Sequence, residues 1–191
     1  MNMKHLIAAF IAASAATAAV AAPDTYAIDP GHTYPSFEAD HMGTSTWRGK
    51  FNKSSGTVVI DRAAKTGSLD IAIDADSLDF GHDKLNTHAK GADMFDVAKF
   101  PAITYKSKSI NFKGDVPATV NGELTLHGIT KPVVLTINKF KCIMSPMLKR
   151  EVCGADASAT FNRADFGIDY AVKMGFNPEV KLAIQVEAIK Q

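Results

Sequence analysis

The strongest constraint on this chain is a two-residue period. Val180, Leu182, Ile184, Val186 and Ala188 alternate with Glu179, Lys181, Ala183, Gln185 and Glu187. Successive side chains of a strand point to opposite faces, so this stretch is a strand with one apolar and one wet face. The alternation recurs upstream. Leu69, Ile71 and Ile73 stand against Asp70, Ala72 and Asp74; Phe37, Ala39 and His41 stand against Ser36, Glu38 and Asp40. Ala157, Ala159 and Phe161 share a face, as do Val58 and Ile60. Leu124 and Leu126, then Val133, Leu135 and Ile137, form the arms of a hairpin whose connection is read as His127-Gly128 with Thr130-Lys131-Pro132. Further strands are expected over 26–29, 46–51, 102–107 and 109–113, with Pro35 marking an edge or a bulge. A long antiparallel sheet with one apolar face must curl into a barrel or fold into a sandwich. Ala39, Ala157 and Ala159 are small for inward positions, which favours a hollow interior.

One stretch breaks the period. Leu85, His88, Ala89 and Ala92 fall at i, i+3, i+4 and i+7, one stripe of a short helix over 84–92, with Asp83 as its N-cap. Met94 and Phe95 supply apolar bulk at its end, and Phe100-Pro101 returns the chain to extended backbone. A single amphipathic helix in a β chain suits the mouth of a barrel. The neighbouring acidic stretch from Asp70 to Asp79 reads as a solvated strand face.

The first residues carry a different signal. Lys4 and His5 precede an apolar run from Leu6 to Val20 that ends in Ala19-Val20-Ala21, the pattern of a cleaved export leader over residues 1–21. The run is too short and too rich in alanine to span a bilayer well. Residues 22–191 then form one domain, exported to the periplasm. Of the chain's 21 basic and 20 acidic residues the leader holds only Lys4, so the mature chain balances at 20 of each. A neutral surface gives no electrostatic reason to expect nucleic acid. Cys142 and Cys153 would meet an oxidising compartment, and Met144-Ser145-Pro146-Met147 between them can turn the chain, so a disulfide across the base of a hairpin loop outside the barrel wall is expected. They lack the Cys-x-x-Cys spacing of a redox-active pair.

Candidate catalytic and metal residues are few. No two of His32, His41, His82, His88 and His127 stand at i, i+4 on a helix, and there is no His-Glu-x-x-His. No Gly-x-Ser-x-Gly is present to hold a nucleophile. The residues therefore point to no cofactor, no metal site and no enzyme. His41 on an inward face and His88 on the helix stripe are candidates for a ligand's polar end.

The chain is similar to the YceI family, the lipocalin-like periplasmic proteins. The resemblance rests on Ile28-Asp29 with His32, Phe37 and His41; on Gly49-x-Phe51 and Gly56; and on His88 with 91–96 and Lys99-Phe100-Pro101. It continues through Gly122 to Pro132, through Arg163 with Asp165-Phe166-Gly167, and into the final strand. Two positions depart from the family pattern: Pro35, where a β-branched residue is usual, and Ala89, where leucine is common. The resemblance implies an all-β fold with one short helix, an extended antiparallel lipocalin-like barrel around an elongated apolar cavity. It also implies a polyisoprenoid or other long-chain lipid as ligand, bound without catalysis. On predicted facing the ligand-binding residues are Phe37, Ala39, His41, Trp47, Phe51, Ile71, Ile73, His88, Met94, Phe95, Tyr105, Leu124, Leu126, Leu135 and Phe161. No stable membrane insertion is expected after leader cleavage, and a homodimer stays open. The second function class is a small periplasmic enzyme or redox accessory that uses the barrel as a scaffold.

Overall fold

The computed structural model describes residues 22–191, so the expected leader lies outside the described residues. The chain runs through β1 (Asp24–Ile28), β2 (Tyr34–His41), β3 (Ser45–Phe51), β4 (Ser54–Asp61), β5 (Thr66–Asp74) and the two-residue β6 (Leu78–Asp79). After helix α1 (Asp83–Lys90) come β7 (Ala102–Lys113), β8 (Val116–Leu126), β9 (Ile129–Met144), β10 (Glu151–Asn162) and β11 (Glu179–Lys190). Eight strands close a barrel in the order β1-β4-β5-β7-β8-β9-β10-β11 and back to β1, every pair antiparallel. Closure removes the sheet edges that an open antiparallel sheet would expose.

β11 makes the closure possible by serving two partners on one side. Its C-terminal end pairs with β1, Ile28 opposite Ala188, and its N-terminal half pairs with β2, Val180 opposite Ala39. Pro30-Gly31 interrupts the chain between these partners, because proline has no donor to continue a ladder. β2, β3 and β6 then form a flap beside the barrel, β3 on β2 and β6 on the end of β3. Pro35 pairs with Ile184, and the β2–β3 ladder starts one residue later at Ser36. It sits, as expected, where its missing N–H breaks nothing.

Several boundaries differ from the sequence reading. β7 is one strand, not two. Between Ser107 and Ser109 its register slips, so the inward face moves from Ile103 and Tyr105 to Ile110. A bulge reverses the phase of alternation, which is why period alone divides the strand there. The β8–β9 turn is His127 and Gly128 alone, at φ of 51° and 75°, the left-handed pair of a two-residue hairpin. Thr130 and Pro132 already belong to β9, whose full span is sixteen residues. The acidic stretch is a strand face only to Asp74, although Asp76 beyond it is also exposed. Beyond it a 3-10 turn over Ala75–Ser77 carries Ala75 and Leu78 into the core.

Helix α1 is shorter and capped differently than expected. His82, not Asp83, is the N-cap, its Nδ1 accepting from the Leu85 N–H at 3.2 Å. Asp83 occupies the first turn, where its charge favours the helix dipole. The helix stops at Lys90, so Ala92 lies outside it and is exposed, while Ala89 is fully buried against the core. That burial explains the small residue at 89: the helix backbone sits close to the core beneath it.

Candidate functional site

The inward residues of the eight strands, with those of β2 and β3, do not meet in the middle. They surround a cavity of about 430 Å³ that runs from Tyr26, Cys153 and Ala188 at one end to His41, His88 and Phe176 at the other. Two clusters of buried side chains bracket it. Phe37, Phe51, Tyr105, Leu124 and Phe166 belong to the larger, and Tyr26, Ile28, Ile60, Cys153 and Ala188 form the smaller. Where backbones approach, glycine makes room. A Cβ on Gly49 would stand 2.6 Å from the Phe37 ring, and one on Gly122 would stand 2.5 Å from Tyr105. Polar wall atoms along the shaft are paired. The Thr33 hydroxyl donates to the Glu187 carbonyl at 3.1 Å and accepts from its N–H at 3.1 Å. The Tyr105 hydroxyl lies 2.9 Å from the Val133 carbonyl and 3.1 Å from that of Val120, and burial pushes its pKa up to about 12. A chain lying in the shaft therefore meets hydrocarbon and aromatic surface, with the wall's own polar groups already satisfied.

The far end is sealed by a charged knot outside the wall. The Tyr26 hydroxyl donates to Glu151, and the Arg62 guanidinium donates to both, at 2.9 Å to Tyr26 and 2.8 Å to Glu151. Tyr26 is 0% exposed. The Tyr26 bond, then the Arg62 charge, holds the Glu151 carboxyl below its ordinary 4.5. A depressed carboxyl pKa adds stability above the unfolded value, which is lost as pH falls through the folded one. Glu151→Gln is expected to lower stability by about 1 kcal/mol at pH 7 and to flatten the loss of melting temperature between about pH 5 and pH 3. An acid limb identical to that of the wild type would show that the knot is not coupled to folding.

Cys142 and Cys153 face each other across β9 and β10, with sulfurs 2.03 Å apart. The expected disulfide spans the base of the hairpin loop. The pair is part of the barrel wall, and Cys153, 6% exposed, lines the cavity; only 145–150 form the loop beyond it. Sequence spacing locates the hairpin but not its register. Among the described residues the other group with metal-ligating atoms in reach of one another is Asp29, His32 and Glu187. There His32 Nδ1 sits 2.8 Å from Asp29, an exposed pair that raises the histidine pKa and lowers the aspartate's.

The other end is a rim rather than a seal. The 163–178 segment, α1 and the β2–β3 turn surround it. Arg163 ties the segment down by donating to the Ile168 carbonyl at 2.7 Å and the Tyr170 carbonyl at 2.9 Å. Burial presses its pKa down, against the opposing charge of Asp169. The His41 ring packs 5.2 Å from both Trp47 and Phe176, and His88 lies 4.9 Å from Tyr170. Asp40, Asn177, Arg163 and the two histidines are among the residues bordering the cavity in this region, although nearly all of the wall surface itself is carbon.

All fifteen residues selected by strand or helix facing lie on the cavity wall, from Phe37, Ala39, His41, Trp47 and Phe51 through Ile71, Ile73, His88, Met94 and Phe95 to Tyr105, Leu124, Leu126, Leu135 and Phe161. Of the small positions, Ala39 and Ala157 border the cavity, whereas Ala159 packs against the core beside it. Pro35 also lines it; Ala89 does not. Sequence reasoning missed the sealing residues Tyr26 and Ile28, although their alternation around Ala27 was legible. It also missed Arg163, Tyr170 and Phe176, which sit in irregular backbone with no period to read. His127 stays a turn residue as expected. Its Nδ1 lies 3.2 Å from the Phe166 carbonyl, and its Nε2 is buried without a partner among the described residues.

A closed antiparallel barrel with one helix at its rim and an elongated apolar interior is a lipocalin-like container. The chain belongs to the YceI-like domain family, whose model matches residues 26–188. It is 32% identical over 194 residues to a UPF0312 protein of Shewanella denitrificans, covering 98% of this chain and 99% of the relative. A UPF0312 protein of Vibrio cholerae is 31% identical with the same coverage. Among solved structures, BcnA of Burkholderia cenocepacia superposes with a TM-score of 0.67 at 23% identity, covering 84% of this chain and 98% of that one. A polyisoprenoid binding domain from Saccharophagus degradans superposes with a TM-score of 0.60 at 15% identity, covering 87% and 98%. At these identities the solved structures show the shared fold.

Proposed function

We propose that this protein is a periplasmic, non-enzymatic carrier or sequestering protein for a polyisoprenoid or another long-chain amphiphilic lipid. The observation that carries the reading is the cavity: continuous, apolar along its shaft, with polar side chains gathered at the rim. The fold shared with a polyisoprenoid binding domain supports it, and the leader pattern supports export. Among the described residues no helix is long and apolar enough to cross a membrane.

The volume sets a scale. A cavity of about 430 Å³ is of the size that takes small apolar ligands. At about 0.8 kcal/mol for each buried methylene, one five-carbon isoprene unit contributes on the order of 3–4 kcal/mol before ordering costs, so a few units suffice for tight binding with little selectivity. A longer chain would extend through the rim, where its polar end meets Arg163, His41 and water. The fifteen wall residues named above are proposed as the ligand contacts.

Protein purified without denaturant should release a prenyl or long acyl compound into organic solvent, read by mass spectrometry. Delipidated protein should rebind a fluorescent prenyl analogue with little salt dependence, since burial of apolar surface is not screened. No extractable lipid together with no rebinding would overturn the carrier reading.

A further inference from the structure

At the barrel end opposite the rim, the β9–β10 hairpin outruns β8 and ends in the 145–150 turn, which lies beyond the wall. β9 pairs with β8 only as far as Thr136 opposite Thr119, and from Ile137 to Met144 its one strand partner is β10. The tip that results is unlike the remaining surface. Ile143 is 50% exposed, Met144 68%, Met147 90% and Leu148 49%. Around them stand Lys139, Lys141, Lys149 and Arg150, all exposed. Residues 139–150 hold these four cations and no acidic side chain, so in a mature chain of 20 basic and 20 acidic residues the remainder is net negative. Among the described residues none of the four is in an ion pair.

The turn is also built to leave water cheaply. The Ser145 N–H donates to the Arg150 carbonyl at 2.9 Å, the Lys149 N–H to the Ser145 carbonyl at 2.9 Å, and the Leu148 N–H to Ser145 Oγ at 3.2 Å. Pro146 has no N–H to satisfy. Backbone donors satisfied within the turn remove much of the penalty that keeps loops out of a bilayer interface. Exposed methionine and leucine set between lysine and arginine is the composition that partitions into the boundary between head groups and acyl chains while the cations pair with anionic lipid.

We propose that the 139–150 hairpin tip docks this protein on the surface of an anionic phospholipid bilayer. Met144, Met147 and Leu148 enter the interface, and Lys139, Lys141, Lys149 and Arg150 pair with the head groups. The occupant is a bilayer rather than an acidic protein because the apolar residues crown a convex, projecting turn and offer no groove or flat face to a folded partner. Cys142 and Cys153, directly below the turn, join the two strands that carry it. Docking by this end leaves the cavity rim facing away from the bilayer. The tip thus holds the barrel at a membrane, a property separate from what the cavity carries.

The test is sedimentation of the mature protein with vesicles of phosphatidylcholine containing about a third phosphatidylglycerol, beside vesicles of phosphatidylcholine alone. The wild type should pellet with the anionic vesicles and be released by high salt. Each basic residue at an anionic surface contributes about fivefold in affinity, so Lys149→Gln with Arg150→Gln should weaken binding about twentyfold. Met147→Ser with Leu148→Ser should weaken it too, without changing the salt dependence. The tip lies outside the barrel, so thermal melts of both variants should match the wild type. As a control from the opposite end, Met42→Ser with Met174→Ser should bind vesicles normally. No preference for anionic vesicles, unchanged binding by both tip variants, or loss of binding in the control instead would overturn the proposal. Lipid extraction from the cavity is read separately, so either property can fail alone.

Discussion

Ala39→Trp is expected to weaken lipid binding about a hundredfold while leaving the barrel folded. Ala39 pairs with Val180 on one side and Trp47 on the other, and its methyl group borders the cavity. An indole there would occupy volume that a chain otherwise fills. Displacing about four methylenes removes roughly 3 kcal/mol, a loss on the order of a hundredfold in affinity. Because the ring grows into space rather than into packed atoms, the melting temperature should hold. Glu38→Trp is the control, one residue away with its side chain turned outward to Arg48 at 2.8 Å. Losing that exposed pair should cost less than about 1 kcal/mol and leave binding intact. Binding titrations with a fluorescent prenyl analogue on both variants decide it. Equal loss in both, or unfolding of Ala39→Trp, would mean that the wall facing or the hollow is misassigned.

The second large effect concerns stability. Gly122→Ala should destabilise the barrel by about 3 kcal/mol, the sum of overpacking and a lost buried hydrogen bond. Its new methyl would stand 2.5 Å from the Tyr105 ring and hydroxyl and 2.7 Å from the Lys106 carbonyl. The ring cannot yield without pulling its hydroxyl from the Val120 and Val133 carbonyls, which lie in the apolar interior. For a domain of this size that corresponds to a fall of roughly 6–12 °C in melting temperature. Adding Tyr105→Leu should relieve the clash, so the double variant should lose less than the two single effects summed. A Gly122→Ala variant within about 0.5 kcal/mol of the wild type would rule out the close contact.

The strands and their inward faces were legible because half-buried strands write their geometry into alternation. Phe37, Ala39, Ile71, Ile73, Leu124 and Leu135 could be placed on the wall from their neighbours alone. Legibility ended wherever the backbone left that period. The bulge after Ser107 reversed the phase of β7 and made one strand look like two. His127 took a left-handed conformation usually filled by asparagine, aspartate or glycine, so the β8–β9 turn looked longer than it is. The helix cap was misread because His82 and Asp83 both offer a side-chain acceptor and only the backbone conformation separates them. The residues that finish the rim, Arg163, Tyr170 and Phe176, are brought there by a segment held through backbone carbonyls, which no side-chain pattern records. The Cys142–Cys153 disulfide was legible, but not that Cys153 lines the cavity, because a turn-forming Ser145-Pro146 says that the chain reverses and not how far the wall extends.

The double engagement of β11 has a kinetic consequence. Tyr26 pairs with Lys190, a separation of 190 − 26 = 164 residues, so the seam that closes the cylinder joins the two ends of the domain. Closing so long a loop is entropically costly and slow compared with forming the hairpins between neighbours. During synthesis β1 and β2 emerge before the other described strands, yet the strand that both must pair with emerges after all of these. Until then β10 lacks its second neighbour and the flap lacks its attachment. The twelve residues of β11 thus act as the closing stitch, and a chain that lost them would retain its hairpins but present raw sheet edges to every other chain around it.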